Sequence, residues 1–258
     1  MKVGVCIKST PDADTRLKVA AGATGIETAG IKWVISDYEK GALEVGVSLK
    51  EKLGGECVLY SVGSGDTEKN LRDGLALGGD RAVMVDDAAT KGTDALGIAK
   101  ALAAAIKLDG LDIVLCGRQA TDDENSQVPA MVAELLGWPH ISFVGAFAID
   151  GTDFVASRNM GGATEKVRGA LPVVVTTEDT IATPRYVKLP EIMKAKSKKL
   201  EKKNLAALGL SAEAIAPAAT FSAYSPPPSR PAGRKLAGDA AAQAKELVRL
   251  LREEAKVI

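Results

Sequence analysis

Short apolar runs alternate with helix-forming segments along the first 143 residues of the chain. Four of these runs lack the polar alternation of half-exposed strands and indicate buried ones, at residues 3–7, 57–62, 82–85 and 113–116. The intervening residues 38–53, 68–77 and 94–107 carry apolar side chains at helical spacing. Strands joined by helices of this length predict an α/β fold, with a mainly parallel, twisted, Rossmann-like sheet and helices on both faces.

Two local signals bound the first helix. The stretch Ser36-Asp37-Tyr38-Glu39 fits a capping box, in which the Ser36 side chain accepts a hydrogen bond from the backbone amide of Glu39. Gly54 and Gly55 then predict its end before the second strand.

The pattern changes after residue 143. Residues 146–149 and 154–157 flank Asp150-Gly151, a pair typical of a tight hairpin turn. Residues 166–167 and 173–177 add further strand material. We therefore expect an antiparallel extension attached to the parallel sheet.

From Pro184 onward the sequence no longer resembles packed α/β structure, so we divide the chain into a domain at 1–184 and a segment at 185–258. Residues 205–236 are rich in Ala, Ser and Pro and predict an extended arm. Residues 239–256 return to helix with an apolar stripe, which predicts that the helix docks on another surface, and a second chain is one candidate for that surface. Before the arm, residues 185–203 contain two acidic residues against eight basic ones, namely Arg185, Lys188, Lys194, Lys196, Lys198, Lys199, Lys202 and Lys203.

Composition excludes several classes of function. The 33 Lys and Arg balance the 33 Asp and Glu, which argues against nucleic-acid binding. A single histidine, His140, excludes sites built from two or three histidines, and three cysteines cannot form a four-cysteine metal site. Cys6, Cys57 and Cys116 lie in apolar runs and are expected to be buried thiols. The sequence has no run of 18 apolar residues, so we expect no membrane-spanning segment. A predicted strand begins directly after Met1 and leaves no room for a targeting peptide. We therefore expect a cytoplasmic bacterial protein.

The first candidate site is the polar loop that follows the fourth strand, from Cys116 to Pro129. A helix is expected to open near Asn125 or Ser126. Ligands of open parallel sheets lie beyond the carboxyl ends of the strands, and helix N-termini hold anions. Ser126 and Gln127 could therefore bind a phosphate while an acidic residue takes a ribose hydroxyl. The alternative is a capped helix beside a solvated acidic loop.

The second candidate is a short helix after Pro184. Leu189, Ile192 and Met193 share one face of this helix, which Pro190 can start. An apolar knob among lysines could anchor a partner with an acidic rim. The alternative is that these apolar residues pack on the parent domain.

These two segments, in this order, resemble the beta subunit of electron-transfer flavoproteins. Further resemblance covers most of the chain, through Val5-Cys6-Ile7-Lys8, Ile31-Lys32-Trp33-Val34-Ile35, Gly78-Gly79-Asp80-Arg81-Ala82, Gly117-Arg118-Gln119-Ala120-Thr121-Asp122-Asp123 and the segment from Pro184-Arg185-Tyr186 to Lys199. The family commonly has Asn-Pro where this chain has Ser36-Asp37, and Gly where Pro129 stands, which indicates a divergent member.

The resemblance implies a heterodimer with an alpha subunit that holds most of an FAD near the beta chain, and a structural AMP in this chain. By position, the AMP contacts would be Cys6, Ser36, Asp37, Tyr38, Glu39, Val62, Asp122, Asp123, Glu124, Asn125, Ser126, Gln127, Val128, Pro129, Ala130, Met131, Val132 and Ala133. Leu189 would enter an acyl-CoA-type dehydrogenase, a role typical of fatty acid oxidation. The other residues that contact this partner would be Pro190, Ile192, Met193, Lys194, Lys196, Lys198 and Lys199.

Other functions remain open at this point. Electron-bifurcating relatives bind a second FAD in place of AMP and oxidise NADH. Asp123 stands where those relatives tend to have a small residue, and its carboxylate would crowd a diphosphate, which favours AMP. A quinone oxidoreductase at the membrane would be the electron acceptor of a simple shuttle. A third possibility is a stand-alone adenine-nucleotide-binding regulator or hydrolase.

Overall fold

A computed structural model describes residues 1–230 and 232–258. Its strands are β1 (Lys2–Cys6), β2 (Ser9–Pro11), β3 (Trp33–Ile35), β4 (Glu56–Val62), β5 (Arg81–Val85), β6 (Ile113–Gly117), β7 (His140–Asp150), β8 (Asp153–Asn159), β9 (Thr164–Ala170), β10 (Val173–Thr177) and β11 (Leu200–Lys203). The helices are α1 (Asp37–Leu53), α2 (Asp66–Ala76), α3 (Ala95–Lys107), α4 (Val128–Leu136), α5 (Leu189–Ser197) and α6 (Ala240–Glu253).

A sheet of nine strands runs through the described part of the chain in the order β11-β5-β4-β1-β6-β10-β7-β8-β9. The pairs from β11 to β7 are parallel, and β7-β8-β9 form the antiparallel extension. This arrangement confirms the predicted α/β class, the four buried strands and the hairpin at Asp150-Gly151. Strands β2 and β3 form a separate antiparallel pair.

The sheet is buried on both faces, which explains why its central strands are continuously apolar. Val3 of β1 and Leu59 of β4 face a core shared with α1 and α2. Val58 and Tyr60 of β4 face a second core, which contains residues of α3 and α4. A side chain at Gly46 of α1 would lie 3.0 Å from the Val5 side chain, so this glycine lets α1 approach β1 closely.

The predicted capping box at the start of α1 is wrong. The Ser36 hydroxyl is buried and has no hydrogen-bond partner among the described residues. The Glu39 amide donates instead to the Ser36 carbonyl, at 3.0 Å. The Glu39 carboxylate turns inward and accepts a hydrogen bond from the Lys8 amide, at 2.8 Å. This amide lies just beyond the end of β1, and its need for an acceptor outweighs the local capping pattern.

The segment after Pro184 is more closely packed than the sequence suggested. β11 pairs in parallel with β5 at the edge of the main sheet, and α5 packs its buried Ala195 into the first core. Residues 205–216 contain two short 3₁₀ turns, and their Leu205 and Ile215 are buried in the second core. The extended arm is therefore wrong for residues 205–216. The boundary between 184 and 185 stays a prediction, although β11 belongs to the sheet of the first domain.

The C-terminal helix agrees with its prediction. Asp239 caps α6 by accepting a hydrogen bond from the Ala242 amide at 2.8 Å. The described residues of α6 include none that is buried, and Leu247 and Val248 are both about half exposed. Leu250 and Leu251 are partly buried, so the apolar stripe is only partly covered within this chain.

Candidate functional site

A cavity of about 330 Å³ opens at the carboxyl edge of the parallel sheet. Its walls include Cys6 and Cys116, at the ends of the neighbouring strands β1 and β6. The chain extends the sheet from β1 to β4 and β5 on one side and then returns to place β6 on the other. The cavity therefore lies at the topological switch point, where open α/β sheets bind ligands.

The cavity brings together half of the residues predicted for the nucleotide. Those in its wall are Cys6, Glu39, Val62, Asp123, Asn125, Ser126, Gln127, Val128 and Pro129. The lining does not include Ser36, Asp37, Tyr38, Asp122, Glu124, Ala130, Met131, Val132 or Ala133. Val132 and Ala133 are buried in the second core, because they lie on the inner face of α4.

The sequence did not predict eight of the lining residues, namely Ile7, Lys8, Thr93, Asp94, Ala95, Ile98, Leu102 and Phe221. The lining also includes Cys116, Gly117, Arg118, Gln119 and Ala120, which belong to the loop of the first candidate site. The helix-start pattern Thr93-Asp94 after a strand and a loop was a usable signal for part of this set. No sequence signal indicated Phe221, because it lies 92 residues after Pro129, the nearest other lining residue in sequence.

The polar end of the cavity is formed by the start of α4. Gln127 precedes this helix and makes no side-chain capping hydrogen bond. Glu124 and Ser126 have left-handed backbone conformations, with φ of 48° and 55°. The helix therefore begins at Val128 and not at Asn125 or Ser126, since a right-handed helix cannot include such residues. Pro129 has no N–H, so the amides that lack partners at the start of α4 are those of Val128 and Ala130, and these can bind an anion.

Lys8 ties the acidic loop to the end of β1. Its Nζ atom lies 2.8 Å from Asp122 Oδ1 and 2.9 Å from Asp123 Oδ2. Partial burial acts to lower the pKa of Lys8, but the two carboxylates outweigh it and raise the pKa above its ordinary value. Arg118 also has partners within the chain. Its guanidinium forms an ion pair with Glu178 at 3.2 Å and lies 4.9 Å from the Phe143 ring centroid.

Burial favours the neutral forms of Glu39 and Cys116 at the inner end of the cavity. Burial raises the pKa of Glu39 to about 8, although the hydrogen bond from the Lys8 amide acts in the other direction. A hydrogen bond with Cys6, together with burial, raises the pKa of the Cys116 thiol. All three cysteines are free and buried, as predicted. The raised pKa makes the Cys116 thiol a poor nucleophile, so the inner end suits binding better than covalent chemistry.

Metal-binding clusters and membrane-spanning helices are both absent from residues 1–230 and 232–258. No group of three His, Cys, Asp or Glu side chains is placed to hold a metal ion. In the same part of the chain, no helix combines the length and the apolar character needed to cross a membrane.

The second candidate site is the outer face of α5. Leu189 is 71% exposed, Met193 58% and Ile192 43%. The other side of the helix is fixed, because Ala195 is buried and Arg72 donates hydrogen bonds to the Ala195 and Lys198 carbonyls at 2.9 and 2.6 Å. The alternative in which the apolar residues pack on the parent domain is therefore wrong.

The basic charge around α5 is largely neutralised within the chain. Arg185 forms ion pairs with Glu44 and Glu51, at 2.9 and 2.7 Å. Lys194, Lys199, Lys202 and Lys203 also have carboxylate partners, at 2.9, 2.9, 2.8 and 3.7 Å. The eight basic residues therefore produce a weaker positive field than their number suggests.

Lys198 points into the protein and not toward a partner. Its Nζ atom donates to the Leu75 and Gly79 carbonyls, at 2.9 and 2.6 Å. Burial lowers its pKa. Lys198 thus holds the end of α2, whereas Lys188 and Lys196 have no ion-pair partner among the described residues.

The parallel sheet, the helices on both faces and the cavity at the switch point define a Rossmann-like α/β protein. Comparison with known proteins narrows this class. A family model described as electron transfer flavoprotein domain matches residues 24–208. The chain belongs to the electron transfer flavoprotein domain family.

Similar full-length proteins agree with this assignment. The chain is 39% identical over 261 residues to the electron transfer flavoprotein subunit beta of Bacillus subtilis, covering 100% of both chains. It is 35% identical to the subunit of the same name from Syntrophomonas wolfei, over 100% of this chain and 98% of the other. The human subunit beta is 33% identical, over 97% of this chain and 99% of the other.

Proposed function

We propose that this chain is the small subunit of a heterodimeric electron carrier in the cytoplasm. An alpha subunit would hold most of an FAD near the interface, acyl-CoA-type dehydrogenases would deliver electrons and a quinone oxidoreductase at the membrane would accept them. The bound FAD supplies the reversible uptake of electrons. The observation that carries the proposal is α5, which holds three apolar side chains out to solvent on a firmly attached helix.

The proposed ligand of the cavity is AMP, in a structural role. A volume of about 330 Å³ is near the lower end of small-molecule sites and suits a mononucleotide. The start of α4 offers a place for one phosphate. The carboxylate of Asp123 lies in the same wall, which disfavours the additional phosphate of a second FAD.

Docking of the alpha subunit is supported by α6. This helix carries Leu247 and Val248 on its surface, and the described residues between Ile215 and Ala240 form no helix or strand. An amphipathic helix whose apolar stripe is only partly covered in its own chain gains stability when a second chain covers that stripe. We therefore propose that α6 docks on the alpha subunit.

The composition of the purified complex tests the proposal. The chain is co-expressed with the alpha subunit of its source organism, the complex is purified, and its nucleotides are released by heat and separated by chromatography. We expect one FAD and one AMP per heterodimer. Two FAD would instead support the electron-bifurcating alternative. A monomer without nucleotide that ignores the alpha subunit would contradict the proposal.

Replacing Leu189 with alanine is expected to slow electron transfer from the dehydrogenase by about 10- to 100-fold, the usual range for an interface hot spot. Flavin content and thermal stability should be unchanged, because Leu189 is mostly exposed. The rate is measured from flavin absorbance as the dehydrogenase reduces the complex.

Leu108→Ala is the matched control for this experiment. Leu108 is 59% exposed but caps the end of α3, away from α5, so its substitution should leave the transfer rate unchanged. Equal rates for the Leu189 variant and the unaltered protein would remove Leu189 from the docking surface.

A further inference from the structure

Phe221 forms part of the cavity wall although 79% of its surface is exposed. It belongs to the segment after the second 3₁₀ turn, which crosses from the second core to the mouth of the cavity. An exposed aromatic ring at a cavity mouth gains stability when a ligand covers it, because its apolar surface leaves water.

The segment before Phe221 is held to the start of α3. Asp94 caps this helix by accepting from the Gly97 amide at 2.9 Å, and its other oxygen accepts from the Ala218 and Ala219 amides at 2.7 and 3.3 Å. These amides lower the pKa of Asp94, which stays ionised. One carboxylate thus fixes both the helix and the chain two residues before Phe221.

Further hydrogen bonds hold the chain before and after Phe221. Lys100 Nζ donates to the Ala214 carbonyl at 2.7 Å, and Thr93 donates to the carbonyl of the buried Ile215. Beyond Phe221, the Tyr224 amide donates to the Ala23 carbonyl at 3.0 Å. The ring is therefore bracketed by two anchors and is positioned, not left on a free tail.

The wall around Phe221 combines two chemistries. Ile98, Leu102 and Val62 make part of it apolar, whereas Ser126 and the start of α4 make another part suitable for an anion. A planar heteroaromatic group joined to a phosphate matches both. Aromatic side chains bind nucleobases by stacking, and this contact does not require a particular hydrogen-bond pattern.

We infer that Phe221 is the stacking residue for the base of the nucleotide, so that the arm of this chain completes its own nucleotide site. This inference rests on the proposed function, in which a mononucleotide occupies the cavity.

The test compares AMP with ribose 5-phosphate, which keeps the sugar and phosphate but lacks the base. Both are titrated by calorimetry into the heterodimer after bound nucleotide has been removed by dialysis with charcoal. We expect Phe221→Ala to weaken AMP binding by about 5- to 150-fold and to leave ribose 5-phosphate binding unchanged. Phe221→Trp should restore AMP binding, and its fluorescence should be quenched when AMP is added.

Tyr186→Ala provides the control, because Tyr186 is another exposed aromatic residue and does not line the cavity. It should bind both ligands as the unaltered protein does. Unchanged AMP affinity in Phe221→Ala would overturn the inference while leaving the nucleotide site intact. Equal losses for both ligands would also overturn it, since they indicate a general distortion. Failure of the unaltered protein to bind either ligand would overturn the proposed site as well.

Discussion

Replacing Arg81 with methionine is expected to lower the free energy of unfolding by about 2–4 kcal/mol, somewhat less than the loss for a fully buried ion pair. Arg81 begins β5 and bonds Glu56 at 2.9 Å and Asp109 at 2.7 Å, and it lies 3.8 Å from Glu201. Asp109 also accepts the hydroxyl of the buried Tyr60. Methionine keeps the packing of the aliphatic part of the side chain. It removes the cation that the carboxylates of Glu56, Asp109 and Glu201 share.

The midpoint of thermal unfolding measures this effect and should fall by roughly 4–16 °C. Arg168→Met is the matched control, because Arg168 also bridges two carboxylates, Asp150 and Asp153, but on the exposed hairpin. Exposed pairs contribute up to about 1 kcal/mol, so this variant should change the midpoint little. Similar losses in the two variants would show that the network around Arg81 is no stronger than a surface pair.

The parts of the fold that the sequence predicted are those with a local signal. The central strands are buried on both faces and therefore appear as unbroken apolar runs. Asp150-Gly151 marks its hairpin because Gly151 has φ of 65°, which glycine adopts without strain. The loop after β6 was assigned to the nucleotide site because the carboxyl edge of a parallel sheet follows from strand order alone.

The parts that were missed depend on contacts between distant residues. β11 has the sequence Leu-Glu-Lys-Lys and was included in a charged, unpacked segment. Lysines are common on edge strands, where they prevent pairing with other chains. Ile215 and Phe221 lie in an Ala- and Pro-rich region whose packing against α3 is set by Asp94 and Lys100, more than 100 residues earlier. No periodic pattern reports such contacts.

Replacing Glu39 with glutamine is expected to stabilise the protein by an amount that grows with pH. Glu39 is buried beside the cavity, and burial raises its pKa from 4.5 to about 8. Glutamine keeps an oxygen that can accept the hydrogen bond of the Lys8 amide, and it removes the group that has to be buried. The gain arises because the unfolded chain of the unaltered protein is stabilised when Glu39 releases its proton. Glutamine cannot ionise, so the unfolded variant lacks this stabilisation.

The sign follows from proton binding. Below pH 4.5 both the folded and the unfolded chain hold the Glu39 proton, so the substitution changes this contribution little. Between pH 4.5 and about 8 the unfolded chain has released the proton and the folded chain retains it. The unaltered protein then loses about 1.4 kcal/mol of stability for each pH unit, and above pH 8 the loss levels off. Unfolding by urea at pH 5, 6, 7 and 8 measures this slope.

Glu44→Gln separates this effect from a general loss of negative charge on α1. Glu44 lies on the same helix, but its ion pair with Arg185 outweighs partial burial and holds its pKa below the ordinary value. Its carboxylate stabilises the folded state above pH 4.5, so glutamine should destabilise the protein at neutral pH. The two variants are therefore expected to shift stability in opposite directions at pH 7. Parallel stability curves for Glu39→Gln and the unaltered protein would show that Glu39 is ionised in the fold, and that this end of the cavity repels a phosphate.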